Sequence, residues 1–231
     1  MALYGYLKAA PKVPKNNFYF LSYGLVVMGT VFLANVFLPI FLYQLNRVHF
    51  GQELISPMET NQITVLGESK QGVDYNNPTN WFPSASVLPP RTSKITHYNL
   101  AIPKLKISQA VVQIGGEDLK KSLVHYPGTA LPGQYGNVVI FGHSVLPQFF
   151  NPKNYKTIFS TLPTLEGGDD IFLDFDGVAY HYQVTQIVET LPEDVSILEQ
   201  HYNGEYLTLV TCVPPGTYLK RLAVRARLVK F

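Results

Sequence analysis

Residues 16–46 carry no charged side chain, and from Phe18 to Leu45 the run is almost continuously apolar. A bilayer core about 30 Å thick needs about 20 apolar residues in helical form, so this run is long enough to span. It exceeds the ~7–15-residue apolar stretch of a cleavable leader, and no clean small-x-small site follows it. Pro39 lies near its far end, where a kink is tolerable in a membrane helix. The expectation is one uncleaved transmembrane helix over residues 18–45. Lys8, Lys12 and Lys15 precede it with no acid among them, whereas the far side offers Arg47 with Glu53 soon after. That lysine excess places residues 1–17 in the cytoplasm and sends the rest of the chain outside the cell membrane.

Outside the cell, a cysteine is read by its partners. This chain has one, Cys212, so an intrachain disulfide is excluded. Three readings stay open: a buried inert thiol, an intermolecular bridge, or a free reactive thiol. The net charge of +2 is small and dispersed, which argues against a nucleic-acid partner.

Beyond the apolar run the chain changes character twice. Residues 46–95 are polar, with "DYNNPTNWFPSASVLPPRTS" at their heart and prolines at 78, 83, 89 and 90. This reads as an extended stalk with polyproline character. Trp81 and Phe82 stand out in it, either as a clip or lid on the following domain or as residues resting at the membrane interface. From residue 96 to residue 231 come short runs rich in β-branched and aromatic residues: "NLAIPKLKI", "NVVIF", "DIFLDF", "AYHYQVTQI", "YLTLVTC" and "RLAVRARLV". Asp176-Gly177 separates two of them and signals a tight hairpin. Residues 117–123, 155–162 and 192–200 are brief helical candidates. About 135 residues of this kind suit one all-β barrel or sandwich with short helices.

Cys212 ends one strand-like run and Arg221 opens the next. If the two pair antiparallel, thiol and guanidinium lie side by side at one end of the sheet. On the second strand Leu222, Val224, Ala226 and Leu228 share one face, and Arg221, Ala223, Arg225 and Arg227 the other. A guanidinium favours the thiolate and offers planar donors to a developing oxyanion. Arg225 is ~13 Å along the strand, too far to serve the same atom. A proton acceptor must come from His49, His97, His125, His143, His181 or His201. None forms a pair at metal-ligand spacing, so no metal is expected. His143, in "NVVIFGHS", follows a strand by one glycine, where active-site residues emerge. Glu117, Asp118, Asp169 and Asp170 lack the spacing of a calcium loop and read as solvated turn residues.

Together, "LTLVTC" with an arginine nine residues on, "GNVVIFGHS" upstream, and the segments "IPKLKISQAVVQIGGEDLKKSLVHYPGTALPGQYGNVVIFGHS" and "TLPTLEGGDDIFLDFDGVAYHYQV" resemble the sortase family of cysteine transpeptidases. The resemblance covers nearly all of residues 96–231. It implies an eight-stranded β-barrel that uses no cofactor, with Cys212 as nucleophile, His143 as catalytic histidine and Arg221 as the arginine that steadies the transition state. Implied partners are secreted proteins with a C-terminal, Leu-Pro-x-Thr-Gly-like sorting signal, and an amine acceptor on the cell envelope or a pilin. The thiol-protease-like hydrolase class goes with that activity. Thr208 and Thr211, flanking the nucleophile, and Thr129 and Ala130, in the preceding turn, are candidate substrate-binding residues; His125 is expected to pack behind the site. Some pilin-type members carry an Asp-Pro-aromatic lid. "NPTNWFP" has the aromatics and prolines without that triplet. The sequence closes on its last strand-like run at Phe231, so an enzyme is expected rather than a substrate with its own sorting signal. The competing reading is a non-catalytic, membrane-tethered β-domain that binds surface proteins, in which Cys212 would be dispensable.

Overall fold

The computed structural model describes residues 18–46, 74–82 and 94–230. Helix α1 (Phe18–Asn46) is apolar on every side; over Tyr19–Leu45 its mean hydropathy is 2.4 and the span is left uncovered by protein. A helix whose apolar window is not buried in protein suits a hydrocarbon surrounding. This single N-terminal apolar helix fits membrane anchoring.

Eight strands close into a barrel: β1 (His97–Ile102), β2 (Ile107–Ile114), β3 (Leu123–His125), β4 (Gly136–Phe141), β5 (Asp170–Phe175), β6 (Val178–Thr190), β7 (Glu205–Val213) and β8 (Lys220–Leu228). Around the barrel they run β1-β2-β3-β4-β7-β8-β6-β5, and β5 returns to β1. The β2/β3 and β4/β7 pairs are parallel, the others antiparallel. The β5–β6 hairpin turns at Asp176 and Gly177, which both take positive φ, 55° and 72°, as a two-residue turn matched to strand twist requires.

Alternation along the strands divides the apolar residues between two cores. Val138, Ile140, Leu207, Leu209, Leu222 and Val224 fill the barrel interior. Val139, Phe141, Val210, Cys212 and Ala223 point to the outside of the same strands, where a second apolar cluster covers them. Strands β4 and β7 are therefore buried on both faces, which is why they read as near-continuous apolar runs.

Three expectations change. The helical candidates at 117–123, 155–162 and 192–200 form turns and short 3-10 turns, among them Leu162–Thr164 and Ser196–Leu198. Segments of seven to nine residues barely exceed the helix nucleus, so packing on the barrel decides their shape. The run "NLAIPKLKI" is broken by a 3-10 turn at Pro103–Leu105 and supplies two paired strands. Within the stalk, residues 74–82 are not extended: Pro78–Trp81 is a 3-10 turn, and Trp81 and Phe82 are buried in the outer cluster. The rest of that stalk, 47–73 and 83–93, lies outside the described residues.

Leu209→Ala would open a cavity in the barrel interior and is expected to lower unfolding stability by about 2–5 kcal/mol, read from denaturant melts of the full chain.

Candidate active site

The outer face of β4, β7 and β8 brings three side chains to one end of the sheet. Cys212 is the penultimate residue of β7, and the antiparallel register places it directly opposite Arg221 on β8. His143 follows β4, the other neighbour of β7, after Gly142. Gly142 is required by space: a Cβ there would lie 2.4 Å from the Phe159 ring and 2.7 Å from Leu123.

Two hydrogen bonds lock the histidine segment to the cysteine strand. The Thr211 hydroxyl donates to the Gly142 carbonyl at 2.8 Å, and the Ser144 hydroxyl donates to the Cys212 carbonyl at 2.6 Å. They bracket His143 on both sides. The Phe159 amide also donates to the His143 carbonyl, at 3.0 Å. Ser144 was not singled out by sequence reasoning, though it adjoins His143 in "GHS".

The site is dry. Cys212 is 2% exposed, and burial pushes its thiol up to about 12, an effect that the nearby Arg221 charge opposes and does not cancel. Burial also lowers His143, with Lys120 adding to the effect and Asp118 and Asp74 opposing it. Both shifts favour the neutral forms of the thiol and of the imidazole at neutral pH. The His143 ring makes no hydrogen bond among the described residues.

Residues 74–82 account for the dryness. The Trp81 ring packs edge-on to Phe141 at 5.3 Å and lies 6.1 Å from the His143 ring. Phe82 also packs edge-on to Phe141, at 5.9 Å. Arg221 is itself 2% exposed. Its guanidinium lies 5.3 Å from the Trp81 ring centre and donates to the carbonyls of Trp81 at 3.3 Å and Tyr218 at 3.0 Å. Its Nε is buried without an acceptor. The segment is secured at its start as well: Tyr75 stacks on Tyr218 at 4.5 Å, the Leu119 amide donates to the Asn76 carbonyl, and Trp81 Nε1 donates to the Tyr75 carbonyl.

The four residues expected to meet substrate are enclosed. Thr211 is spent on Gly142. Thr208 donates to Asn137 at 2.8 Å. Thr129 donates to the Tyr126 carbonyl and lies 3.0 Å from His125 Nε2. Ala130 is fully buried. His125 bridges Thr129 and the Tyr98 hydroxyl, which is 2.8 Å from Nδ1. Asp118 and Asp169 sit in ion pairs with Lys121 and Lys104, and Asp170 is hydrogen-bonded to His181.

The closed barrel thus brings a cysteine opposite an arginine on adjacent strands, with a histidine at the end of the next one. Residues 100–229 match the Sortase domain family. The chain belongs to the sortase family. Transpeptidation is that family's general activity. This sortase is 26% identical over 189 residues to Sortase D of Bacillus subtilis (strain 168), covering 77% of this chain and 88% of that one. Among solved structures it resembles sortase C-1 from Actinomyces oris, with a TM-score of 0.54 at 25% identity, covering 64% of this chain and 89% of that one. It also resembles a lid mutant of Sortase A from Corynebacterium diphtheriae, with a TM-score of 0.52 at 30% identity, covering 61% and 74%.

Two outcomes are expected from this geometry. Thr211→Val strands the Gly142 carbonyl and should cost about 1–3 kcal/mol of stability, with a fall in kcat larger than the change in KM as His143 loses its fixed relation to Cys212. Trp81 is the only tryptophan, so intrinsic fluorescence reports its burial directly. Its emission should resist acrylamide quenching in the wild type, and Tyr75→Ala, which removes the stack on Tyr218, should increase the quenching.

Proposed function

We propose that this sortase is a single-pass membrane enzyme with a cytoplasmic N-terminus and an extracellular barrel, which cuts secreted proteins at a C-terminal Leu-Pro-x-Thr-Gly-like signal and joins them to an amine of the cell envelope or a pilin. The observation that carries the reading is the Cys212–Arg221 pairing with His143 locked beside it. The orientation rests on Lys8, Lys12 and Lys15 before the apolar helix.

In this reading Cys212 gives its proton to His143, and the thiolate attacks the carbonyl carbon of the motif's threonine. The oxygen becomes an oxyanion facing the guanidinium of Arg221, whose orphaned Nε is a donor without an acceptor in the resting state. As the carbon–nitrogen bond breaks, imidazolium at His143 protonates the departing glycine amine, leaving a thioester. The incoming amine attacks the thioester carbon, yields a proton to His143 and expels the Cys212 thiolate, closing the cycle. Water in place of the amine gives hydrolysis, the thiol-protease side of the same chemistry.

Residues 74–82 act as a lid. Acylation needs a peptide where Trp81 and Phe82 now sit, so the lid must leave first. Its departure also hydrates both reacting groups, bringing the thiol down and the imidazole up, and so raises the thiolate–imidazolium fraction.

The test is intact-mass spectrometry of the full chain in detergent, with Leu-Pro-x-Thr-Gly-type peptides and a panel of amines. A thioacyl adduct on Cys212, absent in Cys212→Ala and discharged by an amine, is expected. No adduct in the wild type or in Trp81→Ala would instead favour a tethered, non-catalytic domain. Arg221→Ala and Arg221→Lys should both lower kcat by about 10²–10³-fold, since a lysine lacks the planar fork.

A further inference from the structure

A concavity of about 380 Å³ lies on the outer face of β7 and β8 and is lined by polar residues. Arg225 sits in its wall with Gln186, Tyr206, Asn203, His201 and Glu199. In the β7/β8 register Arg225 faces Thr208, four residues along from the Arg221–Cys212 pair and on the same face, a distance of ~13 Å.

The segment between β6 and β7 lies between the outer apolar cluster and this cavity. The Asn137 side-chain amide donates to the carbonyls of Ile197 and Glu199, and Thr208 fixes the other end of that amide. Gln200 adds hydrogen bonds to the backbone of Ala130 and Asn137. Ile197 and Leu198 face the apolar cluster with Trp81, whereas Glu199 and His201 face the polar cavity.

Arg225 is the unusual occupant. It is half-buried, and its guanidinium has no hydrogen bond or ion pair among the described residues; its carbonyl is the atom that Thr185 bonds. Glu199 and Asp194 are the carboxylates whose charges reach it, and neither is in ion-pair contact. Glu199 lies instead 3.7 Å from His201. A partly desolvated guanidinium with five donors free is a fork waiting for a planar anion, and a carboxylate fits it in two parallel hydrogen bonds.

The direction of the apolar groove says where that carboxylate comes from. Cys212, Phe141, Val210, Ala223, Ile197 and Leu198 share one apolar cluster with Trp81 and Phe82, and from Cys212 back along β7 the register passes the Val210–Ala223 pair to Thr208 opposite Arg225. A donor peptide that replaces the lid follows the same line. At ~3.3 Å per extended residue, with the 197–200 segment to cross, the position reaching Arg225 lies roughly five to seven residues upstream of the cleaved bond. We propose that the Arg225 cavity is a carboxylate subsite that selects donors with an aspartate or glutamate just ahead of the sorting motif. This rests on the transpeptidase reading for its biological use, and not for the binding itself.

Two measurements on the full chain in micelles separate those levels. In Cys212→Ala protein labelled with ¹⁵N-arginine, the Arg225 Nε–H signal, assigned by its loss in Arg225→Gln, should shift on titration with the peptide acetyl-Ala-Glu-Ala-Asp-Ala-amide and not with its Gln/Asn counterpart. In the transpeptidation assay, donors with Asp upstream should be preferred to those with Asn by about tenfold in kcat/KM, and Arg225→Gln should abolish that preference. The proposal is overturned if the signal ignores the acidic peptide or moves equally with both. It is equally overturned if the preference survives in Arg225→Gln, or follows a carboxylate on the acceptor amine instead of the donor. If no donor acylates Cys212, the transpeptidase reading fails and the arginine signal alone decides the subsite. Thermal melts of Arg225→Gln and Arg225→Lys identify a folding defect, and partial retention of the preference by Lys is expected from a charge-reading site.

Discussion

The register between β7 and β8 is the constraint on which the site depends. A slip of one residue would turn Cys212 into the barrel and Leu222 out of it, because side chains alternate with a period of two. The interior residues Leu207, Leu209, Leu222 and Val224 hold that register from one side, and Val210 and Ala223 from the other. Placement of the thiol beside the guanidinium is therefore a by-product of core packing, and the strands' rigidity supplies the orientation that catalysis needs.

The same packing makes the resting site unreactive. Burial raises Cys212 and lowers His143, so the dry site favours the two neutral groups. Trp81 packs into the cluster around Cys212 while its carbonyl accepts from one donor of Arg221. In the proposed reading a single segment blocks entry, withdraws a hydrogen-bond donor and suppresses the thiolate. Aromatic pairs of this kind add about 0.5–1.5 kcal/mol each beyond their burial, few enough for a proposed lid to be held closed and still open.

Much of this was legible in the sequence. The Cys212–Arg221 pairing, the two faces of β8 and the Asp176-Gly177 hairpin follow from alternation and turn chemistry, which are local. The helical candidates failed because their polarity pattern competes with docking on a curved sheet, which no window of the sequence contains. Residues 74–82 read as stalk for a related reason: prolines and asparagines suit an extended chain equally well, and only Phe141, 60 residues away, gives Trp81 somewhere to go. Thr208, Thr211 and Thr129 were expected to meet substrate, but in the fold their hydroxyls meet Asn137, Gly142 and His125, partners fixed by tertiary contacts.

In the proposed reading, residues 74–82 hold Cys212 as a buried neutral thiol opposite Arg221 until they leave. The rate of Cys212 alkylation by iodoacetamide against pH tests it most directly, in the full chain and in a Trp81→Ala, Phe82→Ala variant. In the wild type the thiol should be slow at neutral pH, with its rate still rising at the highest pH the fold survives. In the variant the profile should move to lower pH and the neutral rate should rise at least about tenfold, as a hydrated thiol beside Arg221 ionises more readily. Equal profiles for the two proteins, or a wild type already fast at neutral pH, would contradict it.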